Sequence, residues 1–294
     1  MDFLKRIFGK RIASIASKID TAPLEKPSSY IYDQIRQDRN VLVGIAQSTG
    51  LERSHNEDAL FVMQGNSAGD QSLPSFGLFV VADGMGGHRA GEIASAISVR
   101  KVAHRITQDT ILHLFDGGSS ANIPPMQELV RKALEDANDA VVERVPGGGT
   151  TLTAALLLGQ QVTIGHVGDS RAYLISEKEV RVITRDHSLV ERLRELGQLS
   201  ENEAANHPQR NVLYRAIGQG ANLEVDVASY PIPHNAFMLV CSDGLWGVVP
   251  EVEIQRIVLG STTPQVACEK LIQAANAAGG PDNITAVLIH FPPS

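Results

Sequence analysis

Five short segments of this chain place carboxylates where apolar runs begin or end. Asp83 closes FVVAD and Asp243 closes LVCSD. Asp169 follows TIGHVG, and Asp282 precedes ITAVLI. Glu57 and Asp58 stand in RSHNED, directly ahead of ALFV. Apolar runs of this length read as strands, so each carboxylate sits at a strand edge. Carboxylates gathered in one place repel, and an assembled cluster needs cations. Hard oxygen donors without His or Cys suit Mg2+ or Mn2+, with Ca2+ next. Taken singly, each segment has a plainer reading. Asp-Gly is a turn signal. Asp169 could pair with Arg171 or cap a turn. Asp282-Asn283 could be only the turn after Gly279-Gly280-Pro281, and Glu57-Asp58 a solvated pair. Their joint placement carries the metal reading.

FVVADGMGG (79–87) and LVCSDGLWG (239–247) repeat one pattern, an apolar run ending in Asp-Gly and an apolar residue. A hairpin would need a second strand straight after the turn. The chain instead runs into HRAGEIASAISVRKVAHRI and VVPEVEIQRIVL, both of helical spacing. Both stretches therefore predict strand ends feeding loops. Each Gly lets the main chain approach another group closely.

The elements behind these residues read as one continuous domain over 39–294, starting with the strand NVLVGIAQST. ALFVMQ and SFGLFVVAD are further strands. Helices are expected over Ala90–Thr107 and Gln127–Arg144, the second with Leu129, Val130, Ala133, Leu134, Ala137 and Val141 on one face. TTLTAALLLG, QQVTIGHVGD, SRAYLI and VRVIT read as an antiparallel meander. Thr263-Pro264 caps a last helix that Gly279-Gly280 ends, before the closing strand ITAVLIHF. The pattern is α+β: antiparallel sheets covered by helices.

The bulk numbers exclude several classes. A chain of 294 residues with 43% hydrophobic content buries a full core. A net charge of −7 argues against general nucleic-acid binding. Two cysteines without a CxxC exclude a disulfide framework and a thiolate zinc site, and suit a reducing cytoplasm. An Arg six residues after a nucleophilic Cys is also missing, because Gly247 and Ala274 hold those positions.

Residues 1–38 differ from the rest. MDFLKRIFGKRIASIASKID carries net +3, with Phe3, Leu4, Ile7, Phe8, Ile12, Ile15 and Ile19 at helical spacing. Such a segment can lie on an anionic membrane surface or dock on a partner. A helix packed on its own domain, or a loose tail, fits as well. TAPLEKPSSYIYDQIRQD (21–38) reads as a linker.

RSHNED (53–58), VADGMGGH (81–88), GTT (149–151), GHVGDSRAYL (165–174), TRDHS (184–188), CSDGLW (241–246) and GPDNITAVL (280–288) occur in that order. Together they resemble the metal-dependent serine/threonine protein phosphatases of type 2C, in their bacterial form. The resemblance spans about residues 40–292. It implies two antiparallel sheets packed as a sandwich and flanked by helices. It also implies two core Mn2+ or Mg2+ ions with Asp83 bridging them, Asp243 and Asp282 completing one site, and Glu57 and the Gly84 carbonyl serving the other. Asp169, with Asp243, would hold a third, weaker ion. Asp58 would orient the attacking water, and Arg53 would grip the phosphate as a guanidinium fork. A water activated by two cations would attack phosphorus in line, with no covalent phosphoenzyme.

The resemblance implies phosphorylated proteins and an opposing Ser/Thr kinase as partners; a cytoplasmic monomer is expected, and residues 1–20, which the resemblance does not cover, would contact a membrane surface or a partner. Met85 stands where eukaryotic relatives carry a His proposed as acid for the leaving alcohol. His88 reads better as a packing or capping residue, which leaves a metal-associated water as the expected donor. Residues 186–218 match the bacterial flap, where His187, His207 and Arg210 could touch substrate or equally be surface residues of a loop, and no catalytic role is assigned to them. A non-catalytic binding module of the same fold is the competing function. The complete carboxylate set argues against it.

Overall fold

The longest apolar runs lie at the centre of two sheets. A computed structural model describes residues 41–66, 73–87, 89–115, 124–232 and 235–292. Strands β1 (Leu42–Ser48), β2 (Ala59–Gly65), β3 (Phe76–Ala82) and the two-residue β4 (Gly84–Met85) come first. Helix α1 (Arg89–Ile106) passes through a π turn (Thr107–Ile111) into the short α2 (Leu112–Phe115), and α3 (Met126–Arg144) follows. Next are β5 (Gly149–Thr150), β6 (Leu152–Leu158), β7 (Gln161–Val167), β8 (Arg171–Ile175) and β9 (Val180–Val182). The segment after β9 holds α4 (Leu189–Glu195) and α5 (Glu201–Ala205). The chain continues through β10 (Asp226–Pro231), β11 (Ala236–Cys241), the single turn α6 (Asp243–Trp246), α7 (Glu251–Leu259), α8 (Pro264–Ala277) and β12 (Ile284–Phe291).

One five-stranded sheet has the order β1-β12-β11-β8-β9, the other β10-β7-β6-β3-β2, and the strand pairings are antiparallel. Phe79, Val81, Leu157 and Ile164 of one sheet meet Met238, Val240, Val287 and Ile289 of the other in a buried core. The outer faces are covered as well. Leu78, Val80 and Leu156 pack under α1 and α3, against Val99, Val102 and Leu134. Leu239, Cys241 and Leu288 pack under α7 and α8, against Ile254, Ile257 and Leu271. A strand covered on both faces has no solvent side, which is why β3 and β12 read as continuous apolar runs and not as alternation. The resulting four layers, α/β/β/α, are the expected sandwich.

The helix expectations hold within one residue at α3, whose apolar face is buried as read. Thr263 caps α8 through Oγ1, which accepts from Val266 N at 3.2 Å, with Pro264 at the first helical position. The meander is different. β6 and β7 pair in one sheet and β8 and β9 in the other, so the run is two hairpins joined by a crossing. Gly168 makes that crossing with φ +111°, and a Cβ there would meet Thr151 at 2.5 Å. Asp169 rides on this turn. The Asp83 stretch feeds β4, which pairs with β5, and Asp243 opens a helical turn; neither feeds a plain loop.

The expected amphipathic helix and linker of residues 1–38 lie outside the described residues, as does His88. No described helix is long and apolar enough to cross a membrane.

Candidate metal centre

A cavity of about 290 Å³ opens where the strand ends converge. Arg53, Glu57, Asp83, Gly84, Asp169, Asp243 and Asp282 all line it. Asp58 does not line it. It lies just behind, buried, and acts on Asp83 through its charge. The carboxylates and Arg53 singled out from the sequence are thus at one place.

Main-chain hydrogen bonds hold each carboxylate's anchor. Asp83 N donates to Thr151 Oγ1 at 2.9 Å, while Asp83 O accepts from Thr151 N and Thr150 Oγ1, each at 2.8 Å. Asp243 O accepts from Gly247 N at 2.8 Å, closing the turn. Asp282 Oδ1 accepts from Asn283 N at 2.8 Å. Asn283 Oδ1 accepts from Glu57 N at 2.7 Å, and Asn283 Nδ2 donates to the carbonyls of Thr49 and His55. One buried amide therefore fixes the whole lead-in to Glu57.

Two glycines are required here by close approach. At Gly84 a Cβ would meet the carbonyl oxygens of Glu57 and Gly91 at 2.5 Å, and at Gly244 it would meet Asn283 O at 2.0 Å. The two Asp-Gly motifs thus share a cause that their turn chemistry did not suggest. In each, the Gly lets another carboxylate-bearing segment pass.

The electrostatics are those of an unneutralised cluster. Burial and the charges of Asp58 and Asp243 push the Asp83 carboxyl well above the usual range. Burial and Asp243 do the same to Asp169. Asp243 rises to about 6, from burial and then Asp282, and Asp58 to about 7, chiefly from burial. Asp243 Oδ1 and Asp58 Oδ1 are buried without a hydrogen-bond partner among the described residues. Such an oxygen is costly unless something positive meets it. Among the described residues no three His, Cys, Asp or Glu side chains are already gathered tightly enough to hold one ion. Donor chemistry, orphaned oxygens and raised carboxyls all fit hard divalent cations.

Arg53 stands half exposed at the rim, and its Nη2 donates to Asp282 Oδ2 at 2.8 Å. Arg171 does not pair with Asp169. It forks onto the buried Asp186 (Nη2 to Oδ2, 2.8 Å), reaches Tyr173 Oη at 3.2 Å and stacks on Trp246, with 3.6 Å from Cζ to the ring centroid. Trp246 Nε1 in turn donates to Asp169 O at 3.0 Å. His187 is buried behind the same turn. Its N donates to Gly168 O at 2.7 Å and its Nδ1 accepts from Gly168 N at 3.1 Å. His187 is buried and does not line the cavity, so it is an interior residue; burial, His166 and Arg215 lower it to about 4. From the expected flap it is Asn211 and Leu213 that reach the cavity; His207 and Arg210 do not line it.

Sequence reasoning missed Asn283, Ser242, Thr285, Trp246 and Gly91, whose hydrogen bonds or missing side chains shape the site. Only Asn283 left a signal, as an amide beside a strand-edge Asp. Ser242, Thr285 and Trp246 sit in or beside apolar runs that already account for them, and Gly91 lies in the polar first turn of α1.

The chain matches the family profile of Protein phosphatase 2C over residues 43–204. It is 37% identical to the serine/threonine phosphatase stp of Listeria monocytogenes over 247 residues, 82% of this chain and 92% of that one. Among solved structures, the Mycobacterium tuberculosis serine/threonine phosphatase PstP/Ppp superposes with TM-score 0.71 at 31% identity, over 86% of this chain and 99% of that one. A PstP catalytic domain solved in complex with two manganese ions superposes with TM-score 0.68 at 29% identity, over 85% and 99%. With the sandwich, the cavity and its carboxylates already in place, this chain belongs to the type 2C family and is a metal-dependent protein serine/threonine phosphatase.

Proposed function

We propose that the cavity carboxylates divide between two ions as the family resemblance implies. Asp83 bridges, Asp243 and Asp282 serve one ion, and Glu57 and the Gly84 carbonyl serve the other. Mn2+ or Mg2+ there supplies Lewis acidity for activating water and neutralising phosphoryl charge. Asp169, with Asp243, takes a third ion. Arg53 leaves Asp282 and forks onto two phosphate oxygens, which positions phosphorus and stabilises charge on the equatorial oxygens. Asp58 accepts a hydrogen bond from the attacking water and holds its lone pair toward phosphorus. Residues 39–294 form the phosphatase domain. Its substrates are phosphoserine and phosphothreonine proteins made by an opposing kinase in bacterial signalling. The enzyme acts as a cytoplasmic monomer, and residues 1–20 bring it to a membrane surface.

One observation carries this reading: the convergence of Glu57, Asp83, Asp169, Asp243 and Asp282 on one cavity. The test is hydrolysis of a phosphothreonine peptide with Mn2+, after EDTA, and in Asp83→Asn. Activity should need the metal and fall with the variant. Metal-independent turnover would contradict the metal reading, and no turnover at all would favour the binding-module reading. Deleting residues 1–20 should abolish co-sedimentation with anionic vesicles; unchanged sedimentation contradicts the membrane contact.

A further inference from the structure

Asp58 is held by only one of its two oxygens. Oδ2 accepts from Thr285 Oγ1 at 2.6 Å and from Ser242 Oγ at 2.9 Å. All three residues are buried. The direction of both hydroxyl bonds is fixed by their other partners. Thr285 Oγ1 accepts from Gln47 Nε2 at 3.0 Å, across the register pair Gln47 and Thr285 of β1 and β12. Ser242 Oγ accepts from Thr285 N at 2.9 Å, and Asn283 O lies farther off at 3.5 Å. A hydroxyl has one hydrogen. With its lone pair taken by an N–H, each hydroxyl turns that hydrogen to Asp58. Oδ2 is thus saturated by two donors, and Oδ1 has no partner among the described residues.

We infer that Thr285 and Ser242, with Gln47 behind Thr285, are positioning residues that lock Asp58 by Oδ2 and reserve Oδ1 for the reaction. The inference rests on the reading of Asp58 as the group that orients the attacking water. The lock joins three strands. Gln47 comes from β1, Ser242 from the end of β11 and Thr285 from β12, so the sheet itself sets the carboxylate's rotamer. A carboxylate anchored in this way presents one oxygen at one angle, which is what an orienting acceptor needs.

The test uses the full-length Mn2+-loaded enzyme and a phosphothreonine peptide. Thr285→Val keeps the shape and removes the hydroxyl. It should lower kcat roughly tenfold or more, as loss of one hydrogen bond to a charged group does. KM and the calorimetric Mn2+ affinity should stay within about twofold of wild type, because no cavity residue has changed. Thr285→Ser should restore kcat to within about threefold. In an Asp58→Asn background, Thr285→Val should cost less than about twofold more, since both act through one group. Wild-type kcat in Thr285→Val beside an impaired Asp58→Asn overturns the inference alone. So does a failed rescue, or a full additional loss in the double variant. Wild-type kcat in Asp58→Asn overturns the Asp58 reading and the inference together. Gln47→Leu alters an exposed residue and serves if Thr285→Val does not fold. A fall of roughly two- to fivefold supports the lock, and no change contradicts it.

Discussion

Asp83 and Asp186 are aspartates of the same domain, and they are treated in opposite ways. Asp186 is buried and satisfied: Arg171 forks onto it, and Trp246 covers the guanidinium. Asp83 stands among four other aspartates, with no cation among the described residues beside it. The first arrangement is complete without help and reads as structure. The second is finished only when something positive arrives, and it reads as a binding site. The contrast also explains why the Gly168 turn is so firmly tied. His187 and Trp246 pin Gly168 and Asp169 from the satisfied side, so that Asp169 faces the unsatisfied one.

The contrast can be broken from either side. Asp83→Asn should lower phosphatase activity by roughly 10³-fold, since several kcal/mol of charge stabilisation depends on held metal. The same variant should melt at a higher temperature than wild type after EDTA treatment, because one member of a repelling set is gone. A lower metal-free melting temperature would contradict the account. Arg171→Met leaves Asp186 buried and unpaired. It should cost about 3 kcal/mol in urea unfolding, within the range for breaking a buried pair.

A third prediction concerns pH. Asp243 and Asp58 rise to about 6 and about 7 in the metal-free fold. Between the usual aspartate value and those values the unfolded chain has lost protons that the fold retains. Their contribution to metal-free stability therefore falls as pH rises from about 4 through about 7. His187, lowered to about 4, works the other way: its contribution grows as pH rises toward about 6.5. The two effects separate in a difference measurement. The melting-temperature gap between Mn2+-loaded and EDTA-treated protein should widen from pH 5 to pH 8, and a constant gap would contradict the cluster's role. The smallest effect is local. Ser188 Oγ accepts from Glu191 N at 3.3 Å at the start of α4. Ser188→Ala should cost about 1 kcal/mol of helix stability, read as faster amide exchange in α4 with the β-sheet amides unchanged.

Much of this contrast was legible in the sequence, for identifiable reasons. Strands buried on both faces are unbroken apolar runs, and a carboxylate at the end of such a run is conspicuous. Asp83, Asp169, Asp243 and Asp282 announce themselves in this way. The sandwich follows from strands and helices that are all apolar enough to be covered. What was hidden depends on partners distant in the chain. GDSR gives no sign that Arg171 turns from Asp169 to Asp186, fifteen residues on. The switch of sheets at Gly168 is invisible, because a short turn inside a sheet and one between sheets use the same residues. Thr285 is a polar residue inside an apolar run and Ser242 ends one; the β1–β12 register joins Thr285 to Gln47, and only side-chain hydrogen bonds of the fold join Thr285 and Ser242 to Asp58.

The most direct test of the central claim is a calorimetric titration of Mn2+ into EDTA-stripped protein, for wild type and Asp83→Asn. The account predicts at least two ions per wild-type chain and loss of the tight binding in the variant, with the fold intact by circular dichroism. Equal stoichiometry and affinity in the two proteins would show that the strand-end carboxylates are not the metal site.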